Sequence, residues 1–298
     1  MSPPVARDLH PDRFKADLVL LCACIGWGST FAIVKGALDD ASSNVFLAVR
    51  FTIGALVAAL VARRSLTDLP ALKAGALLGL FLWVGFELNM WGLAHTSATH
   101  AGFITSLNVV LVAPIGFLAF HQRIHVSAWV GTLLAGIGLV VLAAPTLMRG
   151  GSILGDVVTV LSAVAYAFHM LFTSRYAGHV KAAPTVTAQL AVVAVFSALA
   201  TPFETVRFNL TPALAGALAF TGICASALFL FMQLWAQART SAVRAALVFS
   251  LEPLFAAIFA RFLLGDPLLP EVWEGGALIL CGILLAALPS SPEWANLR

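Results

Sequence analysis

Ten apolar blocks separated by short polar connections follow one another along the chain. They cover 17–37, 44–62, 71–94, 98–120, 126–145, 155–175, 185–202, 212–236, 241–264 and 272–289. A membrane-crossing helix needs roughly 20 mostly apolar residues, and each block is about that long. The connections hold Pro, Gly, Asp or Asn, as in "DDASSN", "PTLMRGGS" and "PFETVRFNLTP". None is long enough for a separate soluble domain. In lipid a helix satisfies its own backbone groups, so the pattern predicts an all-α membrane protein of ten transmembrane helices.

Composition removes the soluble alternative. The chain of 298 residues is 60% hydrophobic and 10% charged, with a mean hydropathy of +0.96. A soluble domain carries roughly 25% charged residues, and so few charges could not cover a water-facing surface. No basic run suggests a nucleic acid partner. Cys22, Cys24, Cys224 and Cys281 all lie in apolar blocks and form neither a disulfide framework nor a CxxC pattern. The N-terminus, "MSPPVARDLHPDRFKAD", lacks the regions of a cleaved signal peptide, so the first span is expected to be retained. Lys and Arg set orientation. With the N-terminus inside, 12 of the 17 basic residues fall in cytoplasmic connections and tails, against Lys35, Arg149, Arg207 and Arg261 outside and Arg50 within a span. Both termini are expected in the cytoplasm.

The second half repeats the first. "HTSATHAGFITSLNVVLVAPIGF" from His95 aligns with "RTSAVRAALVFSLEPLFAAIFAR" from Arg239, and the register holds without a gap to Pro145 and Pro289. It pairs Asn108 with Glu252, Trp129 with Trp273, Gly131 with Gly275, and Gly138 with Gly282. Each copy holds five helices: 17–145 and 155–289, with short cytoplasmic tails 1–16 and 290–298. Five is odd, so the second copy enters the membrane reversed. Inverted repeats of this kind are typical of secondary transporters, whose solute site lies near the midplane between the repeats.

The five-plus-five layout resembles the EamA type of the drug/metabolite transporter (DMT) superfamily. Three motifs carry the resemblance: "GWGSTFAIVK" in the first helix, "GLAHTSATHAGFITSLNVVLVAP" across the third and fourth, and "ARTSAVRAALVFSLEPLFAAIFARFLLGD" across the eighth and ninth. It implies an integral transporter of small organic solutes in a bacterial cytoplasmic (inner) membrane, often an exporter of amino acids or metabolites. Members of that family commonly end the fourth and ninth helices with Gly-Glu. Here the ninth ends Gly265-Asp266 and the fourth ends His121-Gln122.

Ionisable side chains at membrane depth are costly and usually face the bundle interior. Arg50, Glu87, His169 and Glu252 qualify. Glu252 falls near the middle of its span, beside Pro253, which cannot donate a backbone hydrogen bond and disturbs the carbonyl of Phe249. The pair predicts a bend lining a cavity, and Pro114 in the fourth helix is a second candidate hinge. Arg50 and Glu87 sit at equal depth and are expected to form an intramembrane ion pair. Trp83, Glu87 and Trp91 share one helix face. An aromatic-flanked carboxyl suits an amphipathic or cationic solute, while Trp91 also fits an interfacial belt. Tyr166 and His169 are neighbours on the sixth helix. Trp27, between two glycines, Asn108 and Gln233 complete the candidate cavity lining. Glu87, Glu252 and His169 are the candidate proton carriers; exchange without a coupling ion is equally compatible.

The remaining features argue for packing. "HQRIH" at 121–125 offers two histidines but no third metal ligand. Gly131, Gly138, Gly275 and Gly282 allow close helix packing, within the chain or across a homodimer. No Walker motif, Gly-x-Ser-Gly nucleophile or deep pair of aspartates is present. The chain therefore reads as a transporter, not an enzyme, with no cofactor and a small organic solute as its partner.

Overall fold

Each apolar block becomes a helix, and the connections fall where the blocks end. The computed structural model describes residues 12–95, 98–147, 153–265 and 268–287. Of the expected tails 1–16 and 290–298, residues 1–11 and 290–298 lie outside these residues, while 13–16 belong to the first helix. Ten helices follow in order: α1 (Arg13–Ala37), α2 (Ser43–Ala62), α3 (Leu69–His95), α4 (Ala98–Phe120), α5 (Val126–Leu147), α6 (Ile153–Tyr176), α7 (Ala182–Ala200), α8 (Pro212–Gln237), α9 and α10 (Pro270–Ala287). Helix α9 is broken into Ala242–Phe249 and Glu252–Leu264. Among the described residues seven helices are long and apolar enough to cross a membrane, and α4 and α5 add the apolar stretches Ile104–Phe120 and Val126–Leu142. Large apolar side chains such as Leu60 on α2, Leu133 on α5, Leu199 on α7 and Leu284 on α10 point outward, as a lipid-facing surface requires.

Local chemistry fixes several helix starts. The side chains of Asp68, Thr211 and Ser241 accept from the backbone N–H groups of Ala71, Leu214 and Arg244, capping α3, α8 and α9. The ends of α4 and α9 correspond. His121 and Gly265 both adopt left-handed backbone, with φ of 50° and 78°. A helix commonly ends on such a residue, and glycine takes it without steric cost. The first copy thus places a histidine where the second has its glycine.

Packing crosses between the repeats far more than it stays within them. α5 packs on α10, α2 on α7, α3 on α6 and α7, and α4 on α6; in turn α8 packs on α1 and α2, and α9 on α1. Exchanging the two repeats maps this set of pairs onto itself. Glycines set the closest approach. Cβ atoms added at Gly131 and Gly138 would lie 2.5 and 2.6 Å from the carbonyl oxygens of Gly282 and Gly275. These four glycines therefore meet inside one chain, across the α5–α10 seam.

The connections interlock in the same pattern. At one end the α1–α2 and α7–α8 connections clasp each other. Ser42 N–H donates to Arg207 O at 2.9 Å, Asn209 N–H to Asp40 O at 2.8 Å, and the Thr211 hydroxyl to Asp40 at 2.6 Å. Glu204 accepts from the N–H groups of Asn44 and Val45, capping α2 from the other repeat. At the opposite end Lys181 meets Asp68 at 3.1 Å. The Ala71 N–H and then Lys181 hold the Asp68 carboxyl below its ordinary value.

The glycine seam gives a direct test. Gly138→Ala forces a methyl against a backbone carbonyl and is expected to cost about 1–3 kcal/mol, as overpacking does. Gly216→Ala, where a Cβ meets nothing within 4 Å, is expected to be neutral or stabilising by up to about 1 kcal/mol. Unfolding of the purified variants in detergent compares them; equal stability of the two would contradict the seam.

Candidate functional site

The break in α9 occupies Ser250 and Leu251, immediately before Glu252-Pro253. Pro253 has no N–H to offer Phe249 O, and the helix restarts with Glu252 in its first turn, where the helix dipole favours a negative charge. At the break the Leu251 N–H turns to Val248 O at 3.2 Å, and from α1 the Cys24 thiol also donates to Val248 O at 3.5 Å and lies 4.0 Å from Phe249 O, the carbonyl that Pro253 leaves free. The Ser250 hydroxyl turns back to Leu247 O. Gly28 brings α1 against the restarted half-helix, since a Cβ there would lie 2.6 Å from that of Phe255. The Glu252 side chain makes no hydrogen bond or ion pair among the described residues and is only partly buried. Asn108, its counterpart on α4, is likewise partly buried, and the flanking Val109 and Leu251 belong to one apolar cluster.

Helix α8 holds a second irregularity, which carries no breaker in the sequence. Thr221–Leu228 winds as π-helix. Such segments free backbone carbonyls and often mark functional places. Here Ala225 O accepts the Trp27 indole N–H at 2.8 Å. The Trp27 ring stands edge-on to Phe249 and Phe229, with centroids 5.1 and 6.0 Å away. Ser226, in the same segment, accepts from Arg50 Nε at 3.0 Å. Trp27 thus ties both irregular helices of the second repeat to the first.

The expected Arg50–Glu87 ion pair does not form. Arg50, 7% exposed, bonds Ser226 and lies 5.0 and 5.9 Å from the ring centres of Phe51 and Phe86. Glu87 accepts from the Trp83 indole at 3.2 Å, one turn away on its own helix. Equal depth fixes height, not direction: α2 packs on α7 and α8, whereas α3 packs on α6 and α7. The Trp83 ring packs tilted against Phe196, with centroids 4.8 Å apart, and Trp91 is exposed. Tyr166 packs against Gly85 and edge-on to Phe86. Pro114, the second candidate hinge, lies inside α4. α4 runs through it without a break.

A buried polar group lies between α3, α6, α7 and α8. His169 and Gln189, 5% and 3% exposed, share a hydrogen bond of 3.0 Å between Nε2 and Oε1. With Thr173, Thr185 and Gln233 they line a cavity of about 10 Å³, room for about one water molecule. The Thr173 hydroxyl has no partner, and Gln233, 3% exposed, makes no hydrogen bond among the described residues. Thr173 and Gln189 are uncharged, so a search for ionisable residues at depth passes over them. Gln189 is the longest polar side chain of α7, which was the available signal. Among the described residues no group of His, Cys, Asp and Glu is placed to hold a metal; His125 pairs with the Ser127 hydroxyl instead.

One end of the site is closed by charge. Arg244, at the start of α9, meets Asp17 on α1 through Nη2 at 2.7 Å and Nε at 3.0 Å, and also reaches Ala286 O. Both side chains are largely covered, at 13% and 18% exposure. Arg244→Gln is expected to destabilise by about 1.5–3 kcal/mol, the worth of charged hydrogen bonds. Glu252→Gln breaks no protein bond and is expected to stay within about 0.5 kcal/mol of the parent. Thermal unfolding in detergent reads both; an equal loss from each would mean that Glu252 has a protein partner after all.

The comparisons with known proteins fit this architecture. The EamA-like transporter family model matches residues 14–144 and again 153–288, one match for each repeat. An uncharacterized transporter of Archaeoglobus fulgidus is 31% identical over 93% of this chain and 87% of its own length. The uncharacterized transporter YvbV of Bacillus subtilis is 26% identical over 95% of each. A solved crystal structure superposes with a TM-score of 0.78 at 20% identity, covering 91% of this chain and 96% of that one, which supports the fold. The doubled family match, over a bundle of helices whose repeats interlock, makes this chain a member of the EamA-like transporter family, and with it of the DMT superfamily: an integral membrane transporter.

Proposed function

We propose that this protein is a secondary transporter that exports a small organic solute, an amino acid or related metabolite, across a bacterial cytoplasmic membrane. The two repeats are inverted about an axis in the membrane plane, and both termini lie in the cytoplasm. Support for the inversion comes from the connections. The α1–α2 and α7–α8 connections share one end, while the α2–α3 and α6–α7 connections share the other, so α1 and α6 run in opposite directions. Support for the orientation comes from the basic residues of the second end, Arg63, Arg64, Lys181, Arg239 and Arg244 among them. Rocking of one repeat against the other would open each end in turn. The Asp17–Arg244 pair is the cytoplasmic contact that such rocking must break, and the clasp around Asp40 and Glu204 is the outer one.

The observation that carries the reading is the Glu252 carboxyl. It stands at a helix break between the repeats, with the carbonyl of Val248 met by Leu251 and Cys24 and its own oxygens left without a partner among the described residues. A group so placed is available to a solute or to a proton. Metabolites inside cells and in the medium are to be compared with the protein overexpressed, deleted, or present as Glu252→Gln. One solute class is expected to leave cells with the intact protein and at least about tenfold more slowly with the variant, a change worth about 1.4 kcal/mol. Equal export by the variant would reduce Glu252-Pro253 to a structural break. Movement inward only would reverse the direction proposed.

A further inference from the structure

Arg50 is the strongest unexplained group in the molecule. It is 7% exposed, within the span of α2, and has no acid within ion-pair distance among the described residues. The acids nearest to its function are all engaged or remote. Glu87 is on Trp83, Glu204 caps α2, and Asp40 is on Thr211. Among the described residues Glu252 is unpartnered and sits on α9 in the other repeat, with no ion pair to Arg50. The rings of Phe51 and Phe86 attract the guanidinium, but ring-face attraction is smaller than the cost of burying an unpaired cation. Its Nε–H is held by Ser226. The four N–H groups on its two terminal nitrogens have no protein acceptor among the described residues.

We propose that Arg50 receives the carboxylate of the transported solute, with Glu252, the unpartnered acid of the other repeat, facing the solute's amino group. The proposal deepens the transporter reading and rests on it for the word "transported". A guanidinium presents a planar fork that matches two carboxylate oxygens at once. The Ser226 bond fixes the plane of that fork from the second repeat while α2 carries it from the first, which is the interface where solute sites of repeat-built transporters lie. Phe86 and Tyr166, both partly buried, supply an apolar wall, so the solute class is an amino acid with a free carboxylate and an apolar side chain. A bare amine or a neutral amide leaves the guanidinium buried and unpaired.

The test is binding of the twenty common amino acids and their matched carboxamides to the purified full-length protein in lipid nanodiscs, read by tryptophan fluorescence and unfolding temperature. At least one amino acid is expected to bind, with its carboxamide at least about tenfold weaker. In Arg50→Gln the acid and the amide are expected to bind equally and weakly, and Arg50→Lys is expected to keep part of the preference. Should Arg50→Gln fail to fold, Ser226→Ala keeps the charge but frees the fork, and the preference is expected to shrink. The proposal is overturned if no amino acid binds, if the wild type binds amides as well as acids, or if Arg50→Gln or Ser226→Ala keeps the full preference. Proteoliposomes loaded with a cell extract separate the two readings. Transport of amines or neutral solutes alone defeats the Arg50 assignment and leaves the transporter standing; transport of nothing defeats the transporter.

Discussion

Backbone hydrogen bonding governs this structure, because lipid supplies no substitute for a lost partner. A regular helix meets that demand alone. Two helices of the second repeat are not regular, so their released carbonyls must be met from elsewhere. Helix α1 meets both. Cys24 reaches the break in α9 and Trp27 reaches the π segment of α8, less than one turn further along. Gly26 and Gly28 then bring α1 close enough for those bonds to form, against Phe229 and Phe255 respectively. The sequence "CIGWG" is therefore the counterpart of "SLEP": one supplies the donors that the other withholds.

Helix positions were legible because they depend on length and polarity alone, and every predicted span lies within a few residues of an observed helix. Side-chain partners were less so. Arg50 and Glu87 agree in depth, which follows from counting residues, but their directions depend on which helices pack together. That arrangement comes from the interlocking of the repeats and has no local trace. The two prolines make the same point. Pro253 is preceded by a glutamate that suits a new helix start, and α9 breaks there. Pro114 follows Val112 and Ala113, which offer a new start nothing, and α4 continues. The π segment "TGICASAL" looks like any small-residue stretch, so only its acceptors, occupied by Trp27 and Arg50, reveal it.

The fold treats the two repeats as equals, yet the chemistry does not. Glu252 in α9 has Asn108 as its counterpart in α4. Arg50 lies in α2, and α7 has no ionisable residue. Glu87 lies in α3, and α8 has none. His169 lies in α6, while the middle of α1 holds Trp27 instead. Each deep ionisable group is thus present in one copy only. Under the proposed rocking, symmetry would provide two conformations of similar energy, since exchanging the repeats maps the set of packing pairs onto itself. A solute that bound symmetric groups would see the same site from either side. Arg50 and Glu252 come from different repeats, so under the proposed rocking the distance between them would change, and a solute bridging the two would couple its own fit to the conformation. A ligand shifts such an equilibrium only by its difference in affinity for the two states, and the broken symmetry of these four residues is where that difference can arise.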